Sequence, residues 1–223
     1  MTAMTADTKP RAWIRLPSGA PLDLVDPSPD AWTDEDLALR LARTYRWGGE
    51  STWTWPLSVA QHSLLVLALR REWARSPLTL AEQRAELLHD AEEGFLGFDC
   101  ISPLKRVLGQ PFADVADRLM QAVSQRYALP AWTPESHREH KHADSVAAAS
   151  EAVHCTGWSR DEVRDVLGIA FPVLDVDPLQ ALHGGTAWEP WPSDVAAARF
   201  LEELRALAPV ARGRGSNDPP LRG

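Results

Sequence analysis

Leu87-Leu88-His89-Asp90-Ala91-Glu92-Glu93 is the stretch on which the reading of this 223-residue chain turns. An imidazole and a carboxylate, adjacent in sequence, interrupt an apolar helical pattern and are followed by two more carboxylates. A carboxylate facing the apolar interior of a helical bundle without a cation costs several kcal/mol of desolvation, and a bound metal removes that cost. Upstream, Val59, His62, Leu65, Val66 and Leu69 recur at helical spacing and share one face, which turns His62 inward. Taken singly, His62 and His89 each read either as a hydrogen-bonded core histidine or as a ligand. Asp90 fits only the second kind of reading. Downstream, Asp144 stands on a stretch that opens with Thr133 as cap and Pro134 in its first turn. The small residues Ser145 to Ala149 let that helix pack closely while Asp144 reaches inward. His62, His89, Asp90 and Asp144 together offer the borderline nitrogen and hard oxygen donors that hold one divalent metal. Such a set accepts Mn, Co, Fe, Ni or Zn. Glu151, seven residues beyond Asp144, either orients a ligand or is solvated.

The pattern around these residues is helical. Capping chemistry recurs at Thr33 before Asp34-Glu35-Asp36, Thr79 with Glu82, Ser159 with Glu162 and Ser193 before Asp194. Helices are expected near 33–44, 58–75, 79–93, 112–127, 134–155, 159–167 and 193–207, the sixth stopping at Gly168. Only Trp13 to Val25 alternates, about a Ser18-Gly19 turn, as a short β-hairpin does. The expected architecture is therefore all-α, a helical bundle behind an N-terminal hairpin. Residues 11–208 are expected to form one domain, with a flexible N-terminus at 1–10 and a flexible tail at 209–223.

A net charge of −8 argues against wrapping duplex nucleic acid, yet a metal and a few arginines can reverse the field inside one pocket. No apolar run is long enough to cross a bilayer, and Met1 to Lys9 lacks the apolar core of a secretory signal. The expectation is a cytoplasmic protein without membrane contact. Cys100 and Cys155 form no CxxC pair and are expected as free thiols.

The ordered set His62, His89-Asp90, Asp144 resembles the HD superfamily of metal-dependent phosphohydrolases. Arg46-Trp47, Val59-Ala60-Gln61-His62-Ser63, His89-Asp90-Ala91-Glu92-Glu93 and Asp99-Cys100-Ile101-Ser102-Pro103-Leu104-Lys105 look like the motifs of its bacterial 5′-deoxynucleotidase branch. The Ser18-Gly19 hairpin, with Asp23-Leu24, Pro27 and Pro29, also resembles related phage and prophage HD hydrolases. The likeness covers roughly residues 13 to 155.

The resemblance implies an HD-domain bundle in which one metal on His62, His89, Asp90 and Asp144 activates water against the 5′-phosphate of a nucleotide. Asp90 and Glu93 would be the catalytic residues, Glu93 moving a proton near the attacking water. Arg46 and Trp47 would grip and orient the phosphate, Asp99 and Ser102 would contact the sugar, and Lys105 would add charge at the rim. Phe98 is inserted relative to the family pattern, which puts the reach of Asp99 in question. Trp53 and Trp55 read either as a stacking wall for a base or as core.

Within the same resemblance, cleavage of a nucleoside triphosphate at the α-phosphorus is the alternative to monophosphate cleavage. A di-iron HD-type oxygenase and a non-catalytic nucleotide-binding module are the readings from other classes. No histidine lies between Asp90 and Thr133, which favours one metal over two. His137, His140 and His142 stand on the Asp144 helix instead, His140 as a candidate pocket residue and the others as solvated. Relatives in this superfamily are often homodimers, so a homodimer is an open expectation.

Overall fold

The computed structural model describes residues 12–208, so the expectations for 1–10 and 209–223 fall outside the described residues. Strands β1 (Trp13–Arg15) and β2 (Pro21–Asp23) pair antiparallel, Ile14 opposite Leu22, as the alternation predicts. Gly19 sits in the turn at φ +91°, a conformation that side chains with a Cβ rarely adopt. The hairpin is fastened to the first helix, α1 (Asp34–Ala42), through one carboxylate. Asp36 accepts from the Ser18 amide (2.7 Å), the Ser18 hydroxyl (2.8 Å) and the Thr33 amide (3.0 Å). Thr33 returns a cap to the Asp36 amide, closing a capping box.

The middle of the protein is α2 (Val59–Trp73), buried at every position from Val59 to Arg70. A helix apolar on all sides belongs in an interior, and its neighbours bear this out. It packs against α1, α3 (Leu80–Leu87), α7 (Pro134–Thr156), α9 (Pro178–His183) and α10 (Ser193–Ala206). Leu37, Leu41, Val66, Leu69, Leu87, Phe95, Leu119, Val146 and Phe200 lie in the shared core. The other helices are α4 (Ala91–Leu96), α5 (Ser102–Leu108), α6 (Gln110–Tyr127) and α8 (Arg160–Asp165).

Four expectations need correction. The helix predicted over 79–93 is two helices, because the turn Leu88-His89-Asp90 separates α3 from α4. Two further helices, α5 and α9, carry too few periodic apolar residues to be visible in the sequence. Helix α8 ends at Asp165, ahead of the expected stop, although Gly168 does take positive φ in the turn that follows. Ser193 is the first residue of α10, not its cap, which is Pro192. Both cysteines are buried free thiols, as expected. No helix among the described residues is long and apolar enough to cross a membrane.

Candidate metal centre

The break between α3 and α4 makes the site. Successive residues of a continuous helix point about 100° apart, so His89 and Asp90 could not both face one point from inside it. In the turn they do: His89 Nε2 and Asp90 Oδ2 are 3.0 Å apart. The interior helix α2 brings His62 Nε2 to 3.3 Å from His89 Nε2 and 3.6 Å from Asp90 Oδ2. Helix α7 brings Asp144 Oδ1 to 3.4 Å from His62 Nε2. Two donors each about 2.1 Å from one ion stand about 3.0 Å apart at a right angle and about 3.4 Å apart at the tetrahedral angle. The observed separations are of that size.

The tautomers argue in the same direction. His89 Nδ1 lies 2.8 Å from the Glu86 carbonyl, which only accepts, so Nδ1 carries the proton and Nε2 of the neutral ring is bare. His62 Nδ1 lies 2.6 Å from Glu151 Oε1, with the same result. In their neutral forms the two rings turn bare nitrogens toward each other, His62 Nε2 also toward oxygens of Asp90 and Asp144 and His89 Nε2 toward Asp90. His62, His89 and Asp90 bring three donor atoms close enough together to share one divalent cation, and Asp144 stands against His62 as a further donor, so the residues fit such an ion.

The charges acting on these groups are large. Burial and Arg46 push the His62 imidazole down, but the charge of Glu151 and hydrogen bonds to Asp144 and Glu151 lift it to about 10. Burial raises the Asp90 and Asp144 carboxyls, and the two histidines overcome this and hold both well below the usual carboxylate range. A cation at the same point competes with the proton on His62.

Around the four donors lies a shell that the sequence reveals only in part. Glu151, on α7 and fully buried, accepts from His62 Nδ1 and, at 2.9 Å, from Arg46 Nε; of the two readings left open, it is the orienting one. Arg46 is placed by backbone pairing, its amide donating to Leu57 O (2.9 Å) while Val59 N donates to Thr44 O (2.8 Å) at the start of α2. Arg46 Nη1 stands 3.6 Å from Asp99 Oδ2 and 4.0 Å from Asp90 Oδ2. Asp99 thus reaches the site despite the neighbouring Phe98. Trp47 holds φ +58°, uncommon outside glycine, and its buried Nε1 has no hydrogen-bond partner among the described residues.

Glu93 is buried and accepts from Lys105 Nζ at 3.1 Å. Burial first, then the charges of Asp90 and Asp99, raise its carboxyl to about 9. Glu92, which carried no expectation, is buried beside it and raised to about 7 by burial and by Asp90. Oε2 of each has no partner among the described residues. Ser102 is exposed at the start of α5 and is not brought into contact with the others. Trp53 donates from Nε1 to His154 O (2.9 Å), which makes it a fastener of its loop, and Trp55 is exposed.

His140 is buried, donates from Nδ1 to Glu86 Oε2 (2.7 Å) and sets its ring edge on His89. Neither Glu86 nor this arrangement is visible in the sequence, because it depends on where α3 and α7 meet. His137 and His142 are exposed.

The fold is all-α, with a candidate metal site of His62, His89 and Asp90 at a helix break and Asp144 beside His62. No protein-family model matches the chain. An uncharacterized protein of Rhodobacter capsulatus is 43% identical over 167 residues, which cover 74% of this chain and 83% of the relative. The chain belongs to the family of that protein.

Proposed function

We propose that this protein is a metal-dependent nucleotide phosphohydrolase of the HD type, which removes the 5′-phosphate of a nucleotide. The observation that carries the reading is the convergence of His62 Nε2, His89 Nε2, Asp90 Oδ2 and Asp144 Oδ1 beside a buried arginine and a buried glutamate. A divalent ion held there supplies Lewis acidity, lowering the pKa of a water and taking up phosphoryl charge. Arg46, steadied by Glu151 at Nε, turns Nη1 toward the same space and offers its fork to phosphate oxygens. The unpaired Trp47 indole N–H is a further donor beside it. Glu93 is positioned to take or return a proton, and a phosphate arriving at Lys105 would release that ammonium from Glu93 Oε1.

The test is metal content of purified protein together with release of phosphate from a panel of deoxy- and ribonucleotides. Stoichiometric metal with orthophosphate released from monophosphates is the expected result, and tripolyphosphate released from triphosphates would move the cleavage to the α-phosphorus. No turnover of any member with saturating Mn²⁺, Co²⁺ or Zn²⁺ would remove the enzymatic reading. Two irons per chain with dioxygen-dependent turnover would replace it with an oxygenase.

A further inference from the structure

Outside the metal centre, the hairpin and α1 enclose a cleft of about 300 Å³ lined by Arg15, Leu16, Pro17, Arg40, Arg43, Thr44 and Gly97. Three arginines and no acidic residue line it, in a chain whose net charge is −8. The backbones of Arg15 and Arg43 are paired, Arg43 N donating to Leu39 O and Arg40 O and Arg15 lying opposite Pro21 in the hairpin. Their guanidinium groups have no hydrogen-bond or ion-pair partner among the described residues. Arg40 donates from Nε to Gly94 O (2.7 Å) and from Nη2 to Phe95 O (3.0 Å), which leaves Nη1 without a partner among the described residues. Burial first, and then the like charge of Arg43, lowers the pKa of Arg40. Converging cations without an anion repel one another, at a cost that a multiply charged ligand removes.

The cleft is also built. Asp36 binds the Ser18 turn and the start of α1 together, which fixes Arg15 relative to Arg40 and Arg43. A Cβ on Gly19 would meet Arg15 Nη2 at 3.3 Å, and one on Gly97 would meet Arg40 Nη2 at 3.2 Å, so both guanidinium groups lie over turn glycines.

We infer that this cleft is a second binding site, for a small polyphosphate anion held by Arg15, Arg40 and Arg43. The inference stands apart from the reading of the metal centre. Guanidinium forks match phosphate oxygens in pairs, and the volume admits a pyrophosphate group. Because Arg40 grips the end of α4, whose first turn carries Glu92 and Glu93, a ligand drawing on Arg40 acts on the helix that borders the metal.

Calorimetric titration of inorganic pyrophosphate into the full-length Asp90→Asn protein, in which the metal centre is disabled, reads this cleft. Saturable binding that Arg43→Glu or Arg15→Glu weakens about tenfold or more, and that added salt weakens, is the expected result. Both side chains are exposed and lie on different elements, so loss of fold in one variant leaves the other to decide. Preloading with dAMP or dATP separates two sources of the phosphate. Unchanged pyrophosphate affinity identifies a free effector, and competition that Arg43→Glu abolishes identifies phosphates of the nucleotide itself. No binding at millimolar pyrophosphate, or equal affinity in both arginine variants and their parent, overturns the inference.

Discussion

Glu93 and Glu151 are both buried carboxylates, yet they face different partners and predict different losses. Glu93 pairs with Lys105 and lies close to Asp90 and Glu92 without pairing with His62 or His89, so Glu93→Gln should leave the metal bound and lower turnover by about 10²- to 10⁴-fold, the usual size for a proton-transfer group. Metal content measured beside turnover checks this, and loss of the metal would remove the role given to Glu93. Glu151 holds the His62 tautomer, so Glu151→Gln should weaken metal affinity by roughly 10- to 100-fold with the fold intact, read by metal titration and circular dichroism. Asp90→Asn removes a donor and should abolish metal binding and activity together. The four donors are legible in the sequence because residue type and helical spacing mark them. His140 was legible as a pocket candidate from its place one turn from Asp144, but Glu86 and Glu92 were not, since their roles depend on which helices meet, and nothing in a local pattern encodes that.

At the scale of elements, the junctions carry the stability. Gly94 lets α4 lie against α1: a Cβ there would stand 3.0 Å from Leu41 Cγ and 3.3 Å from the Leu41 amide nitrogen, which is backbone and cannot yield. Gly94→Ala should destabilise the protein by about 1–3 kcal/mol, measured by urea unfolding, although alanine is the better helix former. The hairpin junction has a pH signature. Burial raises the Asp36 carboxyl, but hydrogen bonds from Thr33 and Ser18 outweigh it and hold it below its ordinary value. Its stabilisation is therefore full above the ordinary aspartate pKa of about 3.9 and is lost as pH falls through the depressed folded value. The stability difference between the protein and Asp36→Asn should shrink on that acid side, and a constant difference from pH 6 down to pH 3 would contradict the assignment. The helices were legible wherever a capping box met an apolar period, as at Thr33, Thr79 and Ser159. The break at Leu88 to Asp90 was not, because helix-favouring Glu92 and Glu93 continue the pattern while long-range contacts to His62 stop it.

For the whole molecule, the candidate metal site joins α2, α7 and the α3–α4 turn, so an ion bound there would link segments more than eighty residues apart. A ligand that binds only the folded chain stabilises it by about 2.7 kcal/mol at a hundred times its Kd, and chelation should lower the melting temperature accordingly. An unchanged melting curve in excess chelator would mean that no ion is held. Glu151 gives this site one more property. Its carboxylate is divided between Arg46, which would meet the anion of the proposed reaction, and His62, which would hold the ion. An anion that draws on Arg46 would loosen that guanidinium's hold on Glu151 Oε2 and leave the carboxylate more basic at Oε1, toward His62. Occupancy of one place then raises affinity at the other, and by thermodynamic reciprocity the factor is the same in both directions. Orthophosphate should tighten Mn²⁺ binding, Mn²⁺ should tighten orthophosphate binding equally, and direct contact between ion and anion adds to both; the share that disappears in Glu151→Gln is the part transmitted through this one side chain.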